Sequence, residues 1–468
     1  MTPIIRTFNP ATAAELAQYE TFTASQVDGA IADTHAATAI WSARPIAERC
    51  TTMAQLAQVL RSGREEFARL ITSEMGKPLA EALAEVDKCA LNCDYYIESG
   101  PAFLEPEHVP TSAESSFVTY EPLGVIYAVM PWNFPFWQLF RFAVPAMLAG
   151  NGVLLKHSPN VTGCAVAIEK IIVDAGFPSG LLRTLIIDDS DISEVTDTVM
   201  TDPRVAAATL TGSTRAGGSV AAAAGRALKK SVLELGGSDP FIVLADADLE
   251  SAAKAAAASR FLCTGQVCIA AKRIIVHAKV ADRFQELFVK AVENLNVGDP
   301  LAEGTTTGPM ARPDLLDAID RQVRDSVRSG AKVLVGGHRR EGEGWFYEPT
   351  VLTEIDRTMP VFAEETFGPV AVLISAQTDD EAIAIANDTE YGLAASVWSQ
   401  DRDRALALGR KIVTGCLFVN ASVDSDPRIP FGGIKRSGYG RELGRSGIRE
   451  FTNLQTVWIA PTPTGAQQ

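Results

Sequence analysis

The sequence predicts an α/β protein built from two parallel-sheet domains and a small protruding sheet. Three observations lead there. Apolar strand-like runs alternate with amphipathic helical stretches, a rhythm that means βαβ units and parallel pairing. The rhythm starts afresh after Gly236-Gly237, which sets a domain boundary near residue 235. Two distant segments, 115–130 and 450–460, instead alternate polar and apolar residues, as strands of a sheet with one wetted face do.

In the first series, Gly124 to Met130 and Gly152 to Lys156 read as buried strands. A helix from Thr162 to Ala175 follows and stops at Gly176-Phe-Pro178, a Gly terminator with a Pro block. Arg183 to Ile187 and Ala206 to Leu210 are two further strands. In the second series, Phe241 to Leu244 is a strand and Asp248 caps an Ala-rich helix from Leu249 to Arg260. Arg273 to His277, a helix from Ala281 to Leu295, Lys332 to Val335 and Ala371 to Ile374 carry the pattern on to about Val419. The division that results gives 1–114 and 131–235 to one domain and 236–420 to the other. Segments 115–130 and 450–460 form the protruding sheet, 421–449 returns to the site, and 461–468 is a frayed tail.

The chain of 468 residues is 47% apolar and 21% charged, ordinary for a soluble enzyme with a large core. A net charge of −15 argues against a nucleic-acid binder and against adhesion to anionic lipid. No basic segment followed by an apolar one marks a secretory signal, and Arg141 interrupts the most apolar region. Seven scattered cysteines read as reduced thiols of a cytoplasmic protein, and five histidines never approach metal-ligand spacing. The expectation is a metal-free cytoplasmic enzyme.

Three short stretches carry chemistry. In Gly265-Gln-Val-Cys268, a Gly-containing loop can aim the sulfur into a cleft, where backbone N–H groups lower its pKa; a lone cysteine is otherwise a small buried hydrophobe. In Glu234-Leu-Gly-Gly237, a carboxylate at a strand end precedes two glycines that make room for a ligand, so Glu234 is a candidate general base. The alternative is a solvated or paired glutamate. In Pro131-Trp-Asn-Phe-Pro135, two prolines fix an irregular loop that presents the Asn133 amide rigidly, as an oxyanion donor needs to be. The alternative is a stiffened packing corner.

Together these stretches resemble the aldehyde dehydrogenase superfamily over nearly the whole chain. Lys156 after its strand, Thr211-Gly-Ser213, Glu364 to Pro369, Pro430 to Gly433 and Gly440 to Gly444 match in order and spacing. The resemblance implies two Rossmann-like domains, with the protruding sheet joining subunits into a homodimer or homotetramer. It implies that Cys268 attacks an aldehyde, that Asn133 and the Cys268 N–H hold the oxyanion, and that Glu234 activates the water that releases the acid. For the cofactor it implies Trp132 and Ser213 near the pyrophosphate, Lys156 on the adenosine ribose, Glu365 on the nicotinamide ribose and Phe367 packed nearby. Gly212-Ser213 also suits the start of a phosphate-binding helix. NADP is favoured and NAD is admitted: Pro159 stands where NAD-preferring relatives carry a Glu, and Lys156 and Ser158 can face a 2′-phosphate.

Within the superfamily the sequence is most similar to the bacterial succinate-semialdehyde dehydrogenases. Arg141, six positions after Pro135, is expected to meet a substrate carboxylate, an internal salt bridge being the alternative. Ser425 matches a serine that binds the same carboxylate, and Trp137 and Phe431 line the tunnel. Some positions depart from the pattern: Leu262 replaces a second carboxylate-binding Arg, Ala270 replaces a second Cys, and Phe142 replaces a Lys assigned to proton relay, leaving Glu442 for that task. Cys263 stands where Asn is usual and suggests a Cys263–Cys268 disulfide. Other readings are a dehydrogenase for a different ω-acid or neutral aldehyde, and a non-catalytic dinucleotide-binding protein. The trio Asn133, Glu234 and Cys268 speaks against the last.

Overall fold

The computed structural model describes residues 3–462. A six-stranded sheet runs in the order Gly438–Tyr439, Lys230–Glu234, Val205–Thr211, Val125–Met130, Gly152–His157, Leu182–Thr184. All its pairings are parallel except the short edge strand Gly438–Tyr439. A seven-stranded sheet runs Lys332–Val335, Thr350–Thr353, Val370–Ala376, Arg273–His277, Pro240–Val243, Ala394–Trp398, Cys416–Val419, and only its first pair is antiparallel. The chain therefore leaves the first sheet at Glu234 and enters the second at Pro240, with Gly236 and Gly237 between. Later, the segment after Val419 crosses back to give the first sheet its edge.

The expectation for 115–130 needs correction. Only Ser115–Pro122 joins the protruding sheet, paired with Thr452–Ile459 on one side and Glu107–His108 on the other. Val125–Met130 lies in the middle of the six-stranded sheet instead. Gly124 takes a φ of 126°, which only glycine adopts readily, and separates the two strands. Val-Ile-Tyr-Ala-Val-Met offers apolar side chains to both faces, as a strand covered on both sides must. Of the tail, residues 463–468 lie outside the described residues, and Thr462 donates to Glu114.

Helix boundaries follow local chemistry. Asp248 accepts from Ser251 N and starts the helix Leu249–Phe261, and Ser213 accepts from Ala216 N and starts Thr214–Arg226. Gly176, with a φ of 85°, ends the helix Thr162–Asp174 in the left-handed conformation expected of a terminator. Two helices position the site. Every residue of Trp137–Leu148 is buried, Gln138 and Arg141 included, and the helix sits inside the largest core cluster. Leu79–Phe103 packs beside it and buries Ala82, Val86, Cys89 and Cys93 along one face. Glu85 lies on that same face and is buried too.

Candidate active site

The loop Pro131–Pro135 leaves a buried strand and must turn at once into the helix Trp137–Leu148. Its first free N–H groups need partners. Glu85 supplies them: one oxygen accepts from Phe136 N at 2.8 Å and Trp137 N at 2.9 Å. Its other oxygen meets Lys77 Nζ at 2.5 Å, with both side chains fully buried. The Lys77 ammonium also lies 3.5 Å from the Phe134 ring centroid. His157 ties the other side of the loop. Ser158 N donates to its Nδ1 at 2.9 Å, so Nε2 carries the proton given to the Pro135 carbonyl at 2.8 Å. Burial lowers this imidazole to about 4, which keeps it neutral.

Held this way, the Asn133 amide donates to the Gln266 carbonyl at 2.9 Å. One N–H is spent there and the second is free, while the buried Oδ1 has no protein partner.

The nucleophile loop is wound against its conformational preference. Cys263, Thr264 and Gly265 take φ values of 51°, 55° and 72° in succession. A Cβ on Gly265 would lie 2.2 Å from the Gly368 carbonyl oxygen, so only glycine fits there. The left-handed turn is held by the half-buried Glu81 and the buried Arg260. Glu81 accepts from Cys263 N at 2.9 Å. Arg260 donates to the carbonyls of Val370, Gly265 and Thr366 at 2.7, 3.1 and 3.0 Å and also to that of Gly368. Cys268 follows, partly exposed on a cavity of about 340 Å³. Trp137, Arg141, Ser425 and Phe431 stand on the same wall.

One expectation changes here. Burial pushes the Cys268 thiol up to about 11, with Lys272 and Arg141 pulling it back, so desolvation outweighs the donors of the loop. The Cys263 sulfur is fully buried, donates to the Asn133 carbonyl at 3.5 Å, and is a free thiol like the other cysteines.

Glu234 ends its strand almost fully buried, and one carboxylate oxygen has no hydrogen-bond partner. That oxygen is 2.5 Å from where a Cβ on Gly432 would be, so the glycine makes its space. Burial first, then the Glu442 carboxylate, holds Glu234 well above the usual range, while Arg141 and Arg441 pull it down. Arg141 lines the cavity and is also engaged by the protein itself. Its Nε is ion-paired with Glu442, and its Nη2 is 3.4 Å from Thr211 Oγ1. Its guanidinium carbon is 4.9 Å from the Phe431 ring centroid. The internal salt bridge is therefore present, and it lies on the cavity wall.

On the cofactor side, Trp132 and Phe367 meet edge to face at 5.7 Å. Lys272 Nζ joins this side to the nucleophile, donating to the Cys268 carbonyl at 2.6 Å, the Gly237 carbonyl at 2.7 Å and Glu365 at 2.9 Å. Gly237 N also donates to Glu365, at 3.0 Å. Gly212 N donates to the Glu234 carbonyl, and Ser213 keeps its hydroxyl proton free because it accepts at the helix start. Lys156 is buried and pushed down to about 8 by that burial. Ser158 gives its proton to Asn160 at 2.7 Å, so its oxygen is only an acceptor in this arrangement. Lys272, His157, Glu81, Glu85 and Lys77 were not marked by the sequence motifs.

A loop cysteine on a cavity, a rigid amide and a buried carboxylate are carried on segments that join two parallel-sheet domains. The chain belongs to the aldehyde dehydrogenase family, whose pattern it matches over residues 2–457. It is 51% identical to a probable NADP(+) succinate-semialdehyde dehydrogenase of Synechocystis sp., covering 89% of this chain and 91% of that one. It is 46% identical to the NAD(P)+ succinate semialdehyde dehydrogenase Sad of Escherichia coli, covering 96% of each. Among solved structures, succinic semialdehyde dehydrogenase from Streptococcus pyogenes in complex with NADP+ superposes with a TM-score of 0.94 at 36% identity, over 98% of this chain and 100% of that one. The family and fold read from the motifs are those found. Among the described residues no cluster suited to a metal ion occurs, and no helix is long and apolar enough to cross a membrane.

Proposed function

We propose that this aldehyde dehydrogenase oxidises succinate semialdehyde to succinate with NADP or NAD through a covalent intermediate on Cys268. One observation carries the reading: a cavity with the nucleophilic sulfur on its wall also presents polar groups, Arg141 and Ser425, suited to a second charged end of the substrate. Names of the relatives agree with that chemistry.

The Cys268 thiolate forms a bond to the aldehyde carbon, and the carbonyl π pair becomes an oxyanion. The free Asn133 N–H and the Cys268 backbone N–H donate to it. A bound nicotinamide supplies the hydride acceptor that turns the thiohemiacetal into a thioester. Glu234 then takes a proton from the water that adds to the thioester, the C–S bond breaks and the acid leaves. Burial serves this step, since an ionised Glu234 in its dry site is a stronger base than a solvated one. The residues present fit a dinucleotide. Lys156 is 5% exposed and pairs with no carboxylate among the described residues, and Glu365, though held by Lys272, keeps 20% of its side chain accessible. Lys156, Ser158, Gly212 and Ser213 would hold the adenosine and phosphate end, and Trp132, Glu365 and Phe367 the nicotinamide end.

The protruding sheet supports a homo-oligomer, because its edge strand exposes Leu454, Trp458 and Ile459. Light scattering that finds a monomer at micromolar concentration would remove that part of the reading. Steady-state rates for succinate semialdehyde, glutarate semialdehyde and butyraldehyde, each with NAD and NADP, test the activity itself. Catalytic efficiency is expected to be highest with succinate semialdehyde. Equal efficiency with butyraldehyde would overturn the substrate assignment.

A further inference from the structure

Lys88 is a second cation on the cavity wall. Lys88 sits on the helix Leu79–Phe103, one turn beyond Glu85, and its side chain is 25% exposed at the cavity. Its ammonium is 2.6 Å from Asp424, 3.2 Å from Ser425 Oγ and 4.8 Å from the Trp137 ring centroid. Trp137 Nε1 donates to the same serine oxygen at 3.0 Å.

This convergence assigns a proton. Two N–H donors point at Ser425 Oγ, so the serine hydroxyl must direct its own hydrogen elsewhere. No protein acceptor for it is found among the described residues. The Lys88 ammonium has three donors and uses two, one on Asp424 and one on Ser425. A spare N–H and a spare O–H therefore stand side by side on one wall, 3.2 Å apart at their heavy atoms. Two adjacent donors, one of them charged, match the two oxygens of a carboxylate.

Arg141 offers less. Its guanidinium is buried, with Nε paired to Glu442 and Nη2 near Thr211, so only part of its donor set is left for the cavity. Asp424, by contrast, is 65% exposed, so its hold on Lys88 is weak and easily exchanged.

We propose that Lys88 and the Ser425 hydroxyl together bind the carboxylate of the substrate, Lys88 adding a second positive charge to the cavity that Arg141 also lines. The inference rests on the acidic-aldehyde reading above. It also answers the loss of the second arginine at Leu262: the charge comes from a different helix.

The test compares catalytic efficiency on succinate semialdehyde and butyraldehyde in the native enzyme, Lys88→Met, Lys88→Arg and Asp424→Asn. Lys88→Met should lower the acid-to-neutral ratio about tenfold to a hundredfold, through KM for the acid substrate rather than kcat. Lys88→Arg should keep most of the preference. Asp424→Asn removes the competing anion and should lower KM for succinate semialdehyde and the inhibition constant for succinate. A native enzyme without acid preference would sink the substrate reading itself. A native enzyme with that preference, retained in Lys88→Met and unmoved in Asp424→Asn, would sink the role of Lys88 alone.

Discussion

Arg141 and Glu442 form an ion pair whose side chains are 2% and 3% exposed, one wall of which faces the cavity holding Cys268. Two charges removed from water this completely depend on each other. Replacing Arg141 by Met or Glu442 by Gln should each destabilise the protein by about 3–5 kcal/mol, because each leaves the other charge stranded. The double variant should lose clearly less than the sum. Urea unfolding of all four proteins measures this, and strict additivity would mean that the pair carries no coupling.

Glu442 is also the negative charge that most raises Glu234. Burial and that carboxylate both favour the protonated form, so Glu234 becomes a base only as pH rises. Decay of the acyl-enzyme in a single turnover should therefore accelerate with pH and then level off. Glu442→Gln removes one repulsion and frees Arg141 to act on Glu234, so the rise should move to lower pH. Glu234→Gln should slow the decay about a hundredfold or more and flatten its pH dependence. A decay rate that is the same at pH 6 and pH 9 in the native enzyme would remove Glu234 from this role.

The thiol gives an independent reading of the same desolvation. With Cys268 held up at about 11, its alkylation by iodoacetamide should still be climbing at pH 10, without a plateau near the ordinary thiol value. The positive charge of Lys272 is the largest influence pulling it down. Lys272→Met should make alkylation slower at any fixed pH. A plateau below pH 9 in the ligand-free protein would contradict this account.

Replacing Asn133 by Ala deletes the free amide N–H and should reduce kcat about a hundredfold to a thousandfold, with KM changed much less. The split matters because the Asn133 amide also donates to the Gln266 carbonyl. Loss of that tether alone would loosen the loop and raise KM as well.

How much of this was legible depended on distance along the chain. Cys268, Glu234 and Asn133 announced themselves because each sits in a short stretch of Gly or Pro that makes an unusual turn, and the structure does use those turns. The partner of Arg141 is far away in sequence, and nothing local distinguished a substrate anion from Glu442. Lys77, Glu81 and Glu85 stayed hidden for the same reason, although one signal was available. Glu85 falls in register with Ala82, Val86, Cys89 and Cys93 on the buried face of its helix. A charge on an apolar stripe demands a buried partner. The strand Val125–Met130 was misassigned in part because 115–130 was treated as one segment, whereas its polar half alternates and its apolar half does not.

Glu81 offers a last, purely thermodynamic check on how the nucleophile loop is held. It accepts the Cys263 N–H at 2.9 Å, and burial pushes its carboxyl up to about 7 against an ordinary 4.5, although Lys77 and the N–H act in the opposite sense. Between those two values the folded chain keeps a proton that the unfolded chain has released. Its contribution to stability is therefore fully present below about 4.5 and is lost as pH rises through about 7. Glu81→Gln retains an acceptor for Cys263 N and mimics the protonated form at every pH. Its stability should match the native protein near pH 5 and exceed it above pH 7 by about 2–3 kcal/mol. Thermal unfolding from pH 5 to pH 9 measures the gap. A gap that does not change with pH would mean that Glu81 is ionised throughout and that Lys77 governs its charge.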